Sequence, residues 1–66
     1  MKNLRTLRED KGLSQLQLAL RFGLNQNTIS RYENCQREAD YQTLIMFADF
    51  FDVSIDYLIG RTDKKK

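Results

Sequence analysis

Apolar residues recur along the chain with the three- to four-residue spacing of amphipathic helices. Leu4 and Leu7 fall on one face of a first predicted helix, from about Lys2 to Lys11, and Gly12 supplies a stop directly after it. The chain has no proline, and its three glycines stand at positions 12, 23 and 60. Helical stretches that end only at those glycines predict an all-α fold.

A second and a third helix are predicted in close succession. Ser14 is a suitable N-cap for the second helix, and Gly23 ends it. Because Asn25 can cap the third helix only two residues later, the two helices must meet at a steep angle. The residues predicted to face the core are Leu18, Ala19 and Phe22 in the second helix and Ile29 and Tyr32 in the third.

Two further helices complete the predicted domain. Asp40 caps a fourth helix, and Ser54 caps a short fifth helix that stops at Gly60. The pattern therefore predicts a compact five-helix domain over residues 1–63, followed by a basic tail over residues 64–66. The apolar residues predicted to face inward are Leu44, Phe47, Ala48 and Phe51 in helix four and Ile55, Leu58 and Ile59 in helix five.

Length and composition narrow the class of protein. A chain of 66 residues holds one small core, and we expect no second, ligand-sensing domain. The hydrophobic fraction of 41% is too high for a disordered chain, and no apolar run approaches the roughly 20 residues of a membrane span. A single cysteine and an N-terminus without a secretion signal predict a cytoplasmic protein.

The outward and N-terminal side of helix three carries side chains that can bond DNA. Glutamine and asparagine amides can bond adenine, threonine offers a hydroxyl and a methyl group for thymine, and arginine prefers guanine or a phosphate. A polar face by itself can merely keep a helix soluble, so the surrounding motif decides between the two interpretations. The predicted base-reading residues are Gln26, Asn27, Thr28 and Arg31.

That motif covers most of the chain. Residues 13–34 read LSQLQLALRFGLNQNTISRYEN, with a small Ala19 in helix two and a Gly23 turn, and residues 52–60 read DVSIDYLIG. This combination resembles the helix-turn-helix proteins of the phage Cro and lambda-repressor family, also called XRE-like. The resemblance implies that helix three enters the major groove of double-stranded DNA and that two copies join around helices four and five.

The resemblance also implies phosphate contacts around the recognition helix. In similar proteins the residue at the position of Gln15 braces the DNA backbone, and the start of helix two suits an anion. The other candidates for phosphate binding are proposed only from their positions in the chain, because arginines are common on protein surfaces without a role in binding. The predicted phosphate-binding residues are Gln15, Ser30, Asn34, Gln36 and Arg37, with Arg5 and Arg8 as additional candidates.

Charge is distributed unevenly along the chain. Although the net charge is only +2, residues 1–37 carry seven lysines and arginines against three acids. Residues 38–63 carry one arginine against six acids, and the last three residues are lysines. The excess of positive charge in residues 1–37 would confine phosphate contacts to the half of the chain that carries the motif. We expect the three C-terminal lysines to form a frayed, solubilising tail.

Two residues depart from the family pattern. Cys35 stands where relatives often have glycine, and Ala39 stands where they often have proline. A left-handed backbone at Cys35 would cost about 1 kcal/mol, so a remodelled loop is expected there. With no histidine in the chain and only Arg37 close by, redox sensing by this cysteine is disfavoured.

Apolar residues are also predicted on two outer faces. Leu16 and Leu20 lie one turn apart on helix two, and Met46 and Phe50 repeat that arrangement on helix four. Single surface hydrophobes are normal, but two pairs on so small a domain suggest association. The dimer contact implied by the resemblance comprises Met46, Phe50, Ile55 and Tyr57.

Together these patterns favour a sequence-specific DNA-binding transcriptional regulator, and more specifically a repressor that occupies a palindromic operator as a homodimer. The alternative is a protein-interaction module, such as an antitoxin or antirepressor partner, anchored by Leu16 and Leu20. An enzyme is disfavoured, because there is no histidine, paired-carboxylate pocket, glycine-rich phosphate loop or metal-ligand spacing. No cofactor is expected.

Overall fold

The computed structural model describes residues 1–66 and contains five helices and no strands. The predicted all-α fold is confirmed. The helices are α1 (Leu4–Asp10), α2 (Gln15–Arg21), α3 (Gln26–Glu33), α4 (Tyr41–Phe51) and α5 (Ile55–Ile59). None of the five helices has the length and apolar character of a membrane-spanning segment.

The helix starts are set by local capping chemistry. All four predicted N-caps are confirmed, since each side-chain oxygen accepts a hydrogen bond from the backbone N–H three residues later; they are Ser14, Asn25, Asp40 and Ser54. The first helix begins two residues later than predicted. Asn3, which precedes it, makes no side-chain cap bond and instead donates from Nδ2 to the carbonyl oxygen of Tyr57 at 2.7 Å.

The core takes one completely buried large side chain from each helix. These residues are Leu4, Leu18, Ile29, Phe47 and Leu58. Phe47 lies at the centre of an aromatic cluster, with its ring centroid 4.9 Å from that of Phe22 and 6.3 Å from that of Tyr32, both edge-on. Through Phe47, helix α4 therefore packs against the C-terminal end of α2 and against α3.

The connection after α3 contradicts the expected remodelling at Cys35. The residue keeps the left-handed conformation, with φ of 57°. The amide of Gln36 donates to the carbonyl oxygen of Arg31 at 2.9 Å, and that of Cys35 donates to Tyr32 at 3.3 Å. These are the two bonds of a Schellman motif, and they outweigh the cost of a β-carbon at this position.

The C-terminal lysines are held rather than frayed, so that expectation was wrong. The backbone N–H of Ser54 donates to the carbonyl oxygen of Lys65 at 2.6 Å. The ammonium group of Lys66 lies 2.8 Å from a carboxylate oxygen of Asp52. Both bonds attach the tail to the connection between α4 and α5.

The predicted outward pair on α4 is only half right. Met46 is exposed, but the ring of Phe50 is half-buried, with its centroid 5.3 Å from that of Phe22. The cationic groups of Lys11 and Arg21 lie over this ring at 5.1 and 4.8 Å. Two exposed apolar residues on α4 were missed by the sequence pattern, namely Tyr41 and Ile45.

Candidate nucleic-acid interface

The turn between α2 and α3 determines how α3 is presented. Gly23 has φ of 68°, a left-handed conformation that glycine adopts without steric cost. Beside it, the backbone N–H of Leu24 donates to the carbonyl oxygen of Ala19 at 2.9 Å and closes the end of α2. Because Ala19 is completely buried and has a short side chain, α2 and α3 pack closely. The predicted helix-turn-helix is present.

The outer face of α3 carries most of the predicted base-reading residues. Gln26, Asn27 and Arg31 are exposed, and Asn27 and Arg31 lie one turn apart. The outward placement of Thr28 is wrong, because the residue is only 9% exposed. Its hydroxyl donates to Oδ1 of Asn25 at 2.9 Å, and its backbone N–H donates to the same oxygen. Thr28 therefore belongs to the N-cap of α3.

Polar side chains continue beyond the end of α3. Asn34 bonds its neighbour one turn back, with Nδ2 at 3.4 Å from Oγ of Ser30. The guanidinium group of Arg37 lies 5.8 Å from the ring centroid of Tyr32 and remains exposed. The predicted phosphate-binding residues on this side of the domain are Ser30, Asn34, Gln36 and Arg37, and all except the half-buried Ser30 are exposed.

Arg8 is unavailable to DNA, which contradicts its place among the phosphate candidates. It is 9% exposed, and its guanidinium group binds Glu33, whose side chain is completely buried. The bond from Nε of Arg8 to Oε2 of Glu33 measures 2.5 Å, and Nη1 donates to the carbonyl oxygen of Leu13 at 2.7 Å. This buried ion pair joins α1 to the last turn of α3.

Sequence reasoning missed this pair, although helical spacing contained a signal for it. Arg8 follows the buried Leu4 by four residues, and Glu33 follows the buried Ile29 by four, so both lie on core-facing stripes. Two residues of opposite charge at such positions on different helices indicate a buried ion pair.

The Glu33 carboxylate also organises polar side chains that reach the exposed surface. Its Oε1 accepts from Nε of Arg5 at 3.4 Å and from Nε2 of Gln15 at 3.0 Å. Gln15 in turn accepts at Oε1 from Nε2 of Gln26, at 3.5 Å. A continuous set of hydrogen bonds thus runs from the buried carboxylate to the first residue of α3.

Opposing effects act on the pKa of Glu33. Burial alone would raise it, but hydrogen bonds from Arg8 and Gln15, the positive charge of Arg8 and a hydrogen bond from Arg5 together hold it below the ordinary value of 4.5. The charged carboxylate is therefore the form that the folded domain stabilises.

This lowered pKa predicts a loss of stability in acid. A carboxyl group whose pKa is lower in the folded than in the unfolded state contributes stability above its unfolded pKa, and that contribution disappears as the pH falls through the folded value. The urea midpoint is expected to be lower at pH 3 than at pH 7. Because the pKa of Asp40 is also lowered, by its bonds from Thr43, the comparison should include Asp40→Asn. A midpoint that is independent of pH in Asp40→Asn would contradict the role assigned to Glu33.

Comparison with known proteins agrees with this geometry. The sequence model of the helix-turn-helix family matches residues 4–58. The HTH-type transcriptional regulator YqaE of Bacillus subtilis is 38% identical over 65 residues, which cover 97% of this chain and 56% of that protein. The regulator ImmR of the same species is 32% identical over 65 residues, covering 98% of this chain and 51% of that protein.

A third relative is named as an antitoxin and not as a transcriptional regulator. The antitoxin PezA of Streptococcus pneumoniae is 32% identical over 59 residues, which cover 89% of this chain and 37% of that protein. The chain thus spans about half the length, or less, of these three relatives. No solved structure gives a significant match. By the match over residues 4–58 and by its five-helix architecture, the chain belongs to the helix-turn-helix family, in its XRE-like form.

Proposed function

We propose that this chain is a sequence-specific DNA-binding module that inserts α3 into the major groove and represses transcription by occupying an operator. The observation that carries this proposal is the exposed face of Gln26, Asn27 and Arg31 on a helix presented by the Gly23 turn. Amide and guanidinium groups are the side chains that read adenine and guanine edges by paired hydrogen bonds. Relatives named as transcriptional regulators support the same assignment.

The side chains proposed to contact phosphates lie close to one another beside this helix. Gln15 and Arg5 surround the Glu33 carboxylate, and Nη2 of Arg5 also lies 3.5 Å from Oδ1 of Asn34. Asn34 bonds Ser30, and the exposed Gln36 and Arg37 follow in the chain. Such contacts hold a recognition helix in register on the duplex without reading sequence. The cationic groups of Lys11 and Arg21 lie over the Phe50 ring, whereas Arg31 belongs to the base-reading face itself and Arg5 contacts Glu33 and Asn34 at the last turn of α3.

The size of the domain supports binding as a homodimer to a palindromic operator. Its extents are 28 × 23 × 19 Å, whereas successive major grooves on one side of B-DNA are about 34 Å apart. One copy therefore spans a single half-site, and a second copy is needed to read the next. The proposed contact between copies comprises Met46, Phe50, Ile55 and Tyr57, beside the exposed Ile45.

Alanine substitutions on α3 test the DNA-binding proposal. Selection from a random duplex library first defines the preferred site. Asn27→Ala and Arg31→Ala are then each expected to weaken binding to that site by about 1 to 3 kcal/mol at fixed salt, because each removes a base contact. Gln42→Ala, an exposed polar residue on α4, is the matched control and should bind as the wild type does. Unchanged affinity and sequence preference in both α3 variants would contradict the proposal.

The oligomeric state and the symmetry of the selected site test the dimer. Analytical ultracentrifugation is expected to detect a dimer at high protein concentration, and the selected site should contain two inverted half-sites about one helical turn apart. Met46→Glu should shift the equilibrium toward monomer because it places a charge in an apolar contact. A monomer at every concentration, combined with protection of one half-site in footprinting, would rule the dimer out.

One observation favours a second function, in which α2 binds another protein. Leu16 and Leu20 are 50% and 71% exposed and lie one turn apart, and one relative is named as an antitoxin. Such an exposed apolar pair suits an interface with a protein partner. If this function holds, Leu16→Glu abolishes capture of the partner from the source cells and leaves operator binding intact.

A further inference from the structure

We propose that a cavity beside the end of α3 binds a free α-amino acid with a large apolar side chain, and that its occupation withdraws Arg37 from the DNA backbone. The cavity has a volume of about 340 Å³ and lies where the connection from α3 to α4 meets Met1 and the end of α5. The effect on DNA rests on the proposed function, whereas binding of the amino acid is tested without DNA.

The lining and the size of this cavity suit a small, largely apolar molecule. Five of the seven lining residues are hydrophobic, namely Met1, Cys35, Ala39, Leu44 and Ile59. Ligand sites in proteins generally measure about 300 to 1,000 Å³ and place a few polar groups among mostly apolar side chains. A volume of about 340 Å³ lies at the lower end of that range, which favours a ligand of the size of one amino acid.

The two remaining lining residues carry opposite charges. Arg37 and Glu38 are exposed neighbours in the chain, and neither belongs to any of the four ion pairs of the domain. The next acid, Asp40, is committed to the N-cap of α4, where it accepts from the backbone N–H of Thr43 at 2.8 Å. One unpaired guanidinium group and one unpaired carboxylate therefore adjoin the apolar lining.

This combination of charges selects a zwitterion over a simple acid or a simple amine. A guanidinium group binds a carboxylate by two parallel hydrogen bonds, and a carboxylate accepts from an ammonium group. An acid bound to Arg37 would place its charge near the like charge of Glu38, and an amine bound to Glu38 would meet the like charge of Arg37. An α-amino acid carries both groups on one carbon atom, and its apolar side chain removes the lining from water.

The wall of the cavity is attached to the last turn of α3. Cys35 is the left-handed residue that ends this helix, and the nitrogen of Met1 donates to the carbonyl oxygen of Tyr32 at 2.8 Å. The Arg37 guanidinium group lies 5.8 Å from the centroid of the Tyr32 ring, and Arg37 is also one of the proposed phosphate contacts. A bound carboxylate would occupy the N–H groups that a DNA phosphate requires, so the amino acid and DNA compete for Arg37.

Titration with L-phenylalanine, followed by nuclear magnetic resonance of the isotopically labelled domain, tests the site without DNA. Saturable shifts are expected at the amides of Ala39, Leu44 and Ile59. The matched probes are 3-phenylpropionate, which lacks the ammonium group, and 2-phenylethylamine, which lacks the carboxylate. Each should bind about 2- to 5-fold more weakly, the effect of one solvent-exposed ion pair. Glycine, which lacks the apolar side chain, should produce no saturable shifts.

The salt dependence of DNA binding tests the competition for Arg37. The slope of the logarithm of the binding constant against the logarithm of the salt concentration should be shallower by about 0.9 when L-phenylalanine saturates the cavity, because one phosphate contact is lost. Glu38→Gln removes the ammonium partner but no proposed DNA contact. Its slope without the amino acid should therefore equal that of the wild type, and it should respond less to the same concentration of L-phenylalanine. Glu9→Gln, which alters an exposed acid of α1 outside the cavity, is the matched control and should respond as the wild type does.

The outcomes that contradict this account are distinguishable. The absence of saturable shifts with L-phenylalanine would overturn the site, and equal binding of the three phenyl probes would overturn its assignment to a zwitterion. Shifts at the same residues that follow protein concentration and not L-phenylalanine would place a second copy of the chain in the cavity and overturn the proposal. Saturable binding with an unchanged slope would overturn the competition for Arg37. A wild type that binds no DNA without the amino acid would contradict the proposed function and leave the ligand site intact.

Discussion

Replacing Glu33 with leucine is expected to destabilise the domain by about 3 to 5 kcal/mol, because it leaves the charge of the buried Arg8 without a partner. At about 0.05 to 0.15 kcal/mol per residue, a domain of this size has a total stability of roughly 3 to 10 kcal/mol. Glu33→Leu is therefore expected to lose a large share of the total stability and to unfold at a much lower urea concentration than the wild type. Urea denaturation followed by circular dichroism measures the loss.

The double variant Arg8→Met/Glu33→Leu is the informative control for this prediction. Removing both charges abolishes the buried ion pair together with its desolvation penalty, and apolar replacements of this kind are often neutral or stabilising. Most of the stability lost in Glu33→Leu should return. A loss below about 1 kcal/mol in Glu33→Leu alone would show that Arg8 reaches solvent and that the pair is not essential.

Phe47→Ala is expected to cost about 3 to 5 kcal/mol, through lost burial and the cavity that remains beneath α2 and α3. Phe47 is completely buried, and its ring meets those of Phe22 and Tyr32 edge-on. Because these neighbours come from separate elements, the surrounding structure can collapse into the space only by moving the helices that present the base-reading face. DNA affinity should fall together with stability.

Tyr41→Ala provides the comparison for Phe47→Ala on the same helix. Tyr41 is 73% exposed at the start of α4, so its truncation should change the free energy of unfolding by no more than about 0.5 kcal/mol. Thermal and urea denaturation of both variants give the two values. Equal losses would mean that α4 does not support the helix-turn-helix through Phe47.

Local chemistry explains which features were predictable from the sequence. Ser14, Asn25, Asp40 and Ser54 were recognisable as N-caps because a cap bonds a backbone group only three residues away. Gly23 was recognisable for a similar reason, since a left-handed residue between two helices favours glycine. The five-helix order followed from these signals and the apolar spacing between them.

The errors share a different origin, since each depends on partners elsewhere in the chain. Arg8 looked like a surface arginine until Glu33, 25 residues later, was placed beside it. Phe50 looked like half of an outward pair, but Lys11 and Arg21 cover its ring from other helices. Helical spacing shows which face a residue occupies and not what covers that face.

Thr28 and Cys35 are errors of a third kind, in which a residue type suggested one role and the backbone required another. Thr28 has a side chain suited to bases, but its hydroxyl completes the cap made by Asn25. Cys35 has a β-carbon that disfavours φ of 57°, yet the bonds that close α3 impose that conformation. In both cases the geometry of the helix end takes precedence over side-chain preference.

The core that takes one buried side chain from every helix also governs how the domain opens. None of these helices exceeds 11 residues, and segments that short are marginal in isolation. Each helix is stabilised by the shared core that these side chains form together, so the unfolding of one helix exposes the core residues of the others. The side chains are Leu4, Leu18, Ile29, Phe47 and Leu58. Amide hydrogens in all five helices should therefore exchange with solvent through the same cooperative unfolding of the domain. Helix α3 should not unfold while the other helices remain folded.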